Sequence, residues 1–431
     1  MTVLSKAPVL PKAPQNVDAI SIGFGPAAIA LACVLEDARD EGNAPSIPDI
    51  RFLERAAVTS WHPELLLSGT DINHSPFRDL VTPRNPRSRF SFAMYLKEKG
   101  RMFEFGLLGR AASRHEWSDY VAWVAAQVQQ GVSYNETIRE VLPGTVDGQL
   151  DHVLVETAAG RYATRNLIVS SGSSPNIPEI FVPHLGARVF HTSEFLTRLN
   201  AFGATPPRRW MVVGSGQSAS ESVLDIIDRQ DEVHVLSVHR SIGFRLTQLG
   251  QFPNEVFSPT HVDYFHALGD EQRRQYLANS RSANYAGIDP DESQKLFSLI
   301  YEDRLAGRER LCVKGYHAVK ALEPVGDCYR VTLCDIFTGA VTVQEVDAIV
   351  LGTGYLQHLV PPLLSNLQPW LVADDDGGLR IDRDYRIALK PGSSVRIFAN
   401  GLSERSHGIS DGQSFSLMAL RAERISQALV A

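Results

Sequence analysis

Cysteine is scarce. The four in 431 residues, Cys33, Cys312, Cys328 and Cys334, are scattered along the chain. No C-x-x-C pair occurs, which argues against a dithiol redox centre and a cysteine-ligated zinc site, so no metal is expected. Four reduced thiols fit a cytoplasmic protein. Long apolar runs are missing as well. No stretch of about 18 apolar residues exists, so no membrane span is expected. There is no basic block either. With 42 Lys+Arg against 49 Asp+Glu the net charge is −7, and nucleic acid or an anionic membrane is not expected as a partner. Residues 1–15 carry prolines and lysines but no apolar core of signal-peptide length. They read as a disordered tail.

What is present is glycine at telling positions. Asp18-Ala19-Ile20-Ser21-Ile22-Gly23-Phe24-Gly25-Pro26 followed by Ala27 to Ala32 reads as a buried strand, a tight turn and a helix start. Gly23 and Gly25 lack a Cβ, so the backbone can turn sharply and come close to a ligand. Pro26 suits the first helical turn. Ala28 stands where a dinucleotide fingerprint has its third small residue, and the free N–H groups at such a helix start attract a pyrophosphate. The helix continues over Leu31 to Leu35, and Asp37 to Pro48 reads as a loop. Ile50 to Arg55 then reads as the second strand. Its terminal acid, Glu54, is placed to accept from ribose hydroxyls, with Arg55 beside it. Alone, the turn is only a glycine turn and Glu54 only a solvated strand end.

A second copy of the pattern follows. Trp210 to Val213, then Gly214-Ser215-Gly216-Gln217-Ser218, again gives strand, glycine turn and helix start. The next strand, Glu232 to Ser237, ends near Arg240. An arginine where the first copy has an acid favours an adenosine 2′-phosphate, hence NADPH over NADH. Two fingerprints, one with an acid and one with an arginine, together indicate one FAD unit and one NADPH unit. A third mark is the buried run Asp347 to Leu351 ending in Gly352-Thr353-Gly354-Tyr355.

Between these marks the chain is less regular. Asp71 to Pro86 is proline-broken and polar, and a compact domain rarely keeps such a loop without a function. The aromatics of Ser91 to Leu96 and Arg114 to Val124 recur at helical spacing and read as core. Asn166 to Ser170 gives another strand and leads out of the first unit at Pro175.

These residues resemble the flavin-dependent N-hydroxylating monooxygenases of siderophore biosynthesis, the ornithine and lysine side-chain hydroxylases. The resemblance rests on Gly23-Phe24-Gly25-Pro26, Trp61-His62, Arg78-Asp79-Leu80-Val81-Thr82 and Gly214-Ser215-Gly216-Gln217-Ser218-Ala219. It rests further on Phe252-Pro253-Asn254-Glu255, Asn284-Tyr285, Gly352-Thr353-Gly354-Tyr355 and Ser406-His407-Gly408-Ile409-Ser410. It implies that NADPH reduces FAD, that the reduced flavin takes up O2 as a C4a-hydroperoxide, and that a neutral primary amine attacks the distal oxygen.

The resemblance also implies roles. Gly23, Gly25, Pro26, Glu54, Arg55, Trp61, His62, Asn73, Thr353, Gly354, Tyr355, His407, Gly408 and Ser410 would contact flavin or nucleotide. Gly214, Gly216, Gln217, Ser218 and Arg240 would hold NADPH. Arg78, Asn254 and Asn284 would clamp the substrate carboxylate, and Ser416 would lie near the amine. Asn73, beside the flavin, and Ser416 are the catalytic candidates. Arg78 stands where the family has a lysine, and Asn73 where it has a glutamine. An insertion after Asp411, through Gly412-Gln413, bears on the pocket as well. A cation at position 78 favours a carboxylate-bearing substrate over a diamine.

The expected fold is α/β, with two Rossmann-like nucleotide-binding units. The FAD domain spans 16–175 and 345–431, the NADPH domain 176–344, and a mostly helical substrate segment, 248–311, is inserted in the latter. The substrate is an amino acid, ornithine or lysine first; another amino acid or a diamine is the alternative. A flavin monooxygenase acting on carbon or sulfur, or a flavoprotein without turnover, also stays open, as does a homo-oligomer. Arg240→Ala is expected to weaken NADPH far more than NADH, because it removes the contact to the 2′-phosphate. Steady-state kinetics with both nucleotides check this, and equal loss for the two would refute the assignment.

Overall fold

The computed structural model describes residues 13–42, 48–129, 131–285, 287–412 and 414–430. Residues 1–12 of the expected tail therefore lie outside it, as do 43–47 of the loop after the first helix. The tail reading is corrected at its end. Gln15–Asn16 is a strand, pairing in parallel with Tyr162 and Ala163 at the edge of a four-stranded sheet, where its backbone groups find partners.

Two five-stranded parallel sheets organise the chain. The first runs Arg396–Ala399, Asn166–Val169, Ala19–Ile22, Ile50–Leu53, Val132–Ser133. Successive side chains of a strand point to opposite faces, and here both faces are covered. Ala19, Phe52 and Ile168 enter one core with the helices Pro26–Asp40 and Met418–Val430. Ile20, Ile22, Leu53, Leu167 and Val169 enter another. This double burial is why these strands read as unbroken apolar runs.

The second sheet runs Val189–His191, Ala348–Leu351, Arg209–Val213, His234–Val238, Leu311–Lys314. Trp210, Val212, Ala348 and Val350 face the core shared with helix Gln217–Arg229. Met211, Ile349 and Leu351 face the core under the antiparallel hairpins His317–Val325, Cys328–Asp335 and Val341–Val346. Between its fourth and fifth strands come the helices Pro259–Ala267, Asp270–Ser280 and Pro290–Leu305. The chain passes between the two sheets at a short antiparallel pairing of Ser174–Pro175 with Tyr355–Leu356.

The first helix runs on to Asp40, past the expected loop start at Asp37. Asp37 is buried and is held by Arg84 and by Ser88 Oγ at 2.9 Å, which stabilises the extra turn. Among the described residues no helix is long and apolar enough to cross a membrane.

Two glycines of the fingerprints meet different constraints. Gly214 has φ +132°, and a Cβ there would lie 2.1 Å from the carbonyl oxygen of Gly352, on the neighbouring strand's exit. Gly25 has φ −82°, and a Cβ there meets nothing within 4 Å. Gly214→Ala is therefore expected to destabilise the fold by at least about 2 kcal/mol, combining backbone strain with a backbone clash. Gly25→Ala is expected to leave the thermal midpoint of the ligand-free protein within a degree or two. Thermal unfolding of both variants checks the contrast.

Candidate functional site

A cavity of about 640 Å³ opens at the carboxyl ends of the first sheet, where parallel α/β sheets bind their ligands. Its wall begins with Gly23, Gly25 and Pro26. Gly23 has φ +92°, and a Cβ would sit 2.7 Å from the Ser170 carbonyl oxygen, so this turn admits only glycine. The helix that follows has no side-chain cap and no acid in its first turn, which leaves N–H groups available to an anion.

Glu54 and Arg55 continue the wall. The Glu54 carboxylate is fixed by two backbone donors, Phe24 N–H to Oε2 and Ala56 N–H to Oε1, each at 2.8 Å. Trp61 and His62 come next, ring centroids 4.5 Å apart. His62 takes a left-handed backbone, φ 51°, which turns its ring into the cavity. Surrounding protein and the nearby Arg114 cation push its pKa down to about 4, so the imidazole is neutral near pH 7.

The far wall comes from the C-terminal return of the chain, through Asn400, Gly401, Gly412, Phe415, Met418 and Arg421. Arg421 is fully buried. Its Nη1 donates to Asp411 Oδ1 at 2.6 Å and its Nε to Asn400 Oδ1 at 3.0 Å. Asn400 Nδ2 donates in turn to Ala27 O at 3.0 Å and to Ser170 Oγ at 3.1 Å. Arg421 Nη2 is buried without a partner. An uncapped helix start, a turn open on its cavity side and an orphaned buried guanidinium donor all suit a pyrophosphate-bearing ligand such as FAD.

Arg421, Asp411 and Asn400 were not anticipated from sequence. One signal existed. Met418, Ala422 and Ile425 form the buried stripe of the last helix, and Arg421 falls on the same face. A charge on an apolar stripe is an informative exception.

His407, Gly408 and Ser410, expected at the flavin, pack away from this cavity. These residues are not on the cavity wall, which Gly412 and Phe415 supply instead. The His407 ring is buried and stacks on Tyr385 at 4.1 Å, with Ser406 Oγ 2.8 Å from Nδ1. Gly408, φ +95°, faces the Phe265 ring of helix Pro259–Ala267. The turn packs against that helix, and Ser410 is buried beside it. In the Gly352–Tyr355 turn, Tyr355 lines the cavity. Thr353 Oγ1 donates to Asn176 O at 2.5 Å, and Gly354 O accepts from Asn176 N–H at 2.9 Å, so both belong to the crossover between the sheets.

A second cavity, about 830 Å³, lies on the other side of the segment Phe415–Met418. Phe415 and Met418 face the first cavity, while Ser416 and Leu417 face the second. Asn73, Arg78 and Asn254 line it as well. Arg78 Nη1 donates to Ser416 Oγ at 3.3 Å, and its guanidinium lies 5.9 Å from the Phe257 ring centre. Asn254 Nδ2 donates to Gly250 O at 3.0 Å. The structure thus brings three of the four expected substrate residues, Arg78, Asn254 and Ser416, together, and Asn73, expected beside the flavin, lines this cavity with them rather than the first. Asn284 is not on this wall. It is half-buried after the short turn Arg281–Ala283, which packs beside the turn Pro253–Phe257. Gln413, in the insertion after Asp411, lies outside the described residues.

At the second fingerprint, Gly216 leads into helix Gln217–Arg229, which also lacks a side-chain cap. Ser218 is half-buried in its first turn. Both ends of the Gln217 amide are engaged: Nε2 donates to Glu221 Oε1 at 3.0 Å and Oε1 accepts from Asp289 N–H at 2.9 Å. What the turn offers a nucleotide is its backbone. Arg240 is exposed two residues past strand His234–Val238.

Known proteins share this fold. The profile of the family described as L-lysine 6-monooxygenase/L-ornithine 5-monooxygenase matches residues 15–357. A crystal structure described as L-lysine 6-monooxygenase from Pseudomonas syringae is 63% identical, with a TM-score of 0.88, covering 96% of this chain and 99% of that one. The L-ornithine N(5)-monooxygenase of Pseudomonas aeruginosa is 32% identical over 421 residues, 96% of this chain and 93% of the relative. The ornithine N-hydroxylase of Kutzneria sp. 744, solved with reduced FAD, NADP+ and L-ornithine, is 30% identical with a TM-score of 0.89, covering 96% of this chain and 99% of that one. The chain belongs to the L-lysine 6-monooxygenase/L-ornithine 5-monooxygenase family of NADPH- and FAD-dependent N-monooxygenases.

Proposed function

We propose that the protein N-hydroxylates the side-chain primary amine of a free amino acid, ornithine or lysine first, with the α-carboxylate held by Arg78 and Asn254. FAD belongs in the first cavity, with its pyrophosphate at the Gly23–Pro26 turn and its phosphate charge met by Arg421. NADPH belongs at the Gly214–Gln217 turn, with Arg240 toward the 2′-phosphate. The domains divide accordingly, 16–175 with 345–431 for FAD and 176–344 for NADPH. The scattered free thiols support a cytoplasmic setting, with siderophore biosynthesis as the context.

The observation that carries this reading is the two-faced segment Phe415–Met418. One side of it lines the cavity suited to flavin, the other the cavity that holds Arg78. A substrate anchored at Arg78 lies next to the flavin without entering its site. When bound, the flavin supplies the oxygen-transfer chemistry. The chain's own residues bind, orient and exclude water. Arg78 offers a planar charged fork to a carboxylate. Ser416 and Asn73 stand on the same wall as candidate amine partners. The rings of His74 and Phe415, stacked at 5.7 Å, with Trp61 5.5 Å from Phe415, form an aromatic partition beside the reacting end.

The relatives differ in the amine named, lysine for one and ornithine for others. Position 78 favours a carboxylate in either case.

Two experiments test the reading. Gly25→Val fills open cavity space and no protein atom, so the variant is expected to fold normally yet purify nearly colourless. Full flavin occupancy would place FAD elsewhere. A charge-assisted hydrogen bond contributes roughly 1.5–3 kcal/mol, so Arg78→Ala is expected to raise the amino-acid KM at least tenfold with flavin content unchanged. Hydroxylamine product from a panel of amino acids and diamines is the measure. A wild type that prefers a diamine would overturn the carboxylate clamp.

A further inference from the structure

The two sheets are joined by more than the chain crossover. The turn Pro63–Leu65, directly after Trp61 and His62 of the flavin cavity, inserts into the other half of the molecule. Leu65 and Leu67 are buried in the second sheet's core beside Phe190 and Trp210. Glu64 accepts from Thr197 N–H at 2.8 Å and Thr197 Oγ1 at 2.7 Å. Behind this turn stands Arg114, the first residue of helix Arg114–Gln127.

Arg114 and Glu221 form a paired fork across the junction. Nη1 to Oε2 and Nη2 to Oε1 are both 2.6 Å. The side chains are 11% and 2% exposed, so solvent screens the pair poorly. Arg114 Nη1 also reaches Leu65 O at 3.4 Å. Glu221 Oε1 accepts from Gln217, whose own oxygen accepts from Asp289 N–H, at the start of helix Pro290–Leu305. A continuous line therefore runs from the flavin-cavity wall through Leu65, Arg114, Glu221 and Gln217. Gln217 is the first helical residue after the Gly214–Gly216 turn.

We infer that Arg114, Glu221 and Gln217 are positioning residues that lock the second glycine turn at a fixed place relative to the flavin cavity, and so set the geometry for hydride transfer from the nicotinamide nucleotide. The inference rests on the FAD and NADPH assignments above. None of the three need touch substrate. A bidentate arginine–carboxylate pair fixes orientation as well as distance, which a lysine or an amide in the same place does not. Misplacing reactants by about 1 Å costs on the order of a hundredfold in rate.

The test separates the two half-reactions of the holoenzyme. Glu221→Gln and Arg114→Lys are mixed anaerobically with NADPH, and flavin bleaching is followed. The limiting reduction rate is expected to fall at least tenfold in both, with FAD content near wild type. The same variants, reduced with dithionite and then mixed with O2 and amino acid, are expected to form hydroxylamine at wild-type yield. Hydrogen exchange of the ligand-free proteins is expected to rise at 61–67 and 217–222 and not in the sheet strands. Should Glu221→Gln hold no flavin, Arg114→Lys, which keeps the charge and loses the fork, decides the matter. Reduction within twofold of wild type, or an equal fall in both half-reactions, overturns the latch. A wild-type flavin that NADPH fails to bleach overturns the cofactor assignment beneath it.

Discussion

The first cavity depends on one buried charge. Arg421, on the last helix, has no exposed side-chain surface, and neither has its partner Asp411. Removing two charges from water is costly, and only close pairing with further hydrogen bonds offsets it. Here Asp411 and Asn400 supply them. Burial pushes the Asp411 carboxyl up and the Arg421 cation pulls it back. Asn400 then ties the pair to Ala27 and Ser170, at the ends of the first helix and the central strands. The C-terminal return is thus bolted to the first glycine turn. That fixes Phe415–Met418 as a partition with one cavity on each side. Losing the Asp411 carboxylate would leave an uncompensated cation at the ligand's wall.

The partition also explains how two ligand sites can adjoin without merging. An apolar and aromatic layer, Phe415, His74, Trp61 and Trp117, stands between the polar turn that suits a pyrophosphate and the polar wall carrying Arg78. Reactive oxygen chemistry benefits from such a dry boundary. The second sheet contributes from across the junction, through a turn and an ion pair.

Much of the fold was legible in the chain. The doubly covered sheets write themselves as apolar runs, Ala19 to Ile22 and Ala348 to Leu351 among them, because both faces of a parallel sheet are buried. The glycines announce turns for a local reason, since positive φ or close backbone approach excludes a Cβ. Gly214 against Gly352 is the clearest case. The tail was less legible: Gln15–Asn16 pairs with a strand some 150 residues on, and nothing local marks it.

What the sequence determined by itself is therefore the set of local geometries: two strand–turn–helix units, the helical segment inserted in the second, and a cation at position 78. These are fixed by backbone sterics and by burial periodicity over a few residues. What only the tertiary structure decided is which distant side chains meet. It brought Arg78 to Ser416 and Arg114 to Glu221, sealed Arg421 against Asp411, and turned His407 away from the cavity onto Tyr385. Such meetings depend on how whole elements pack, and long-range packing leaves no periodic trace in the residues it joins.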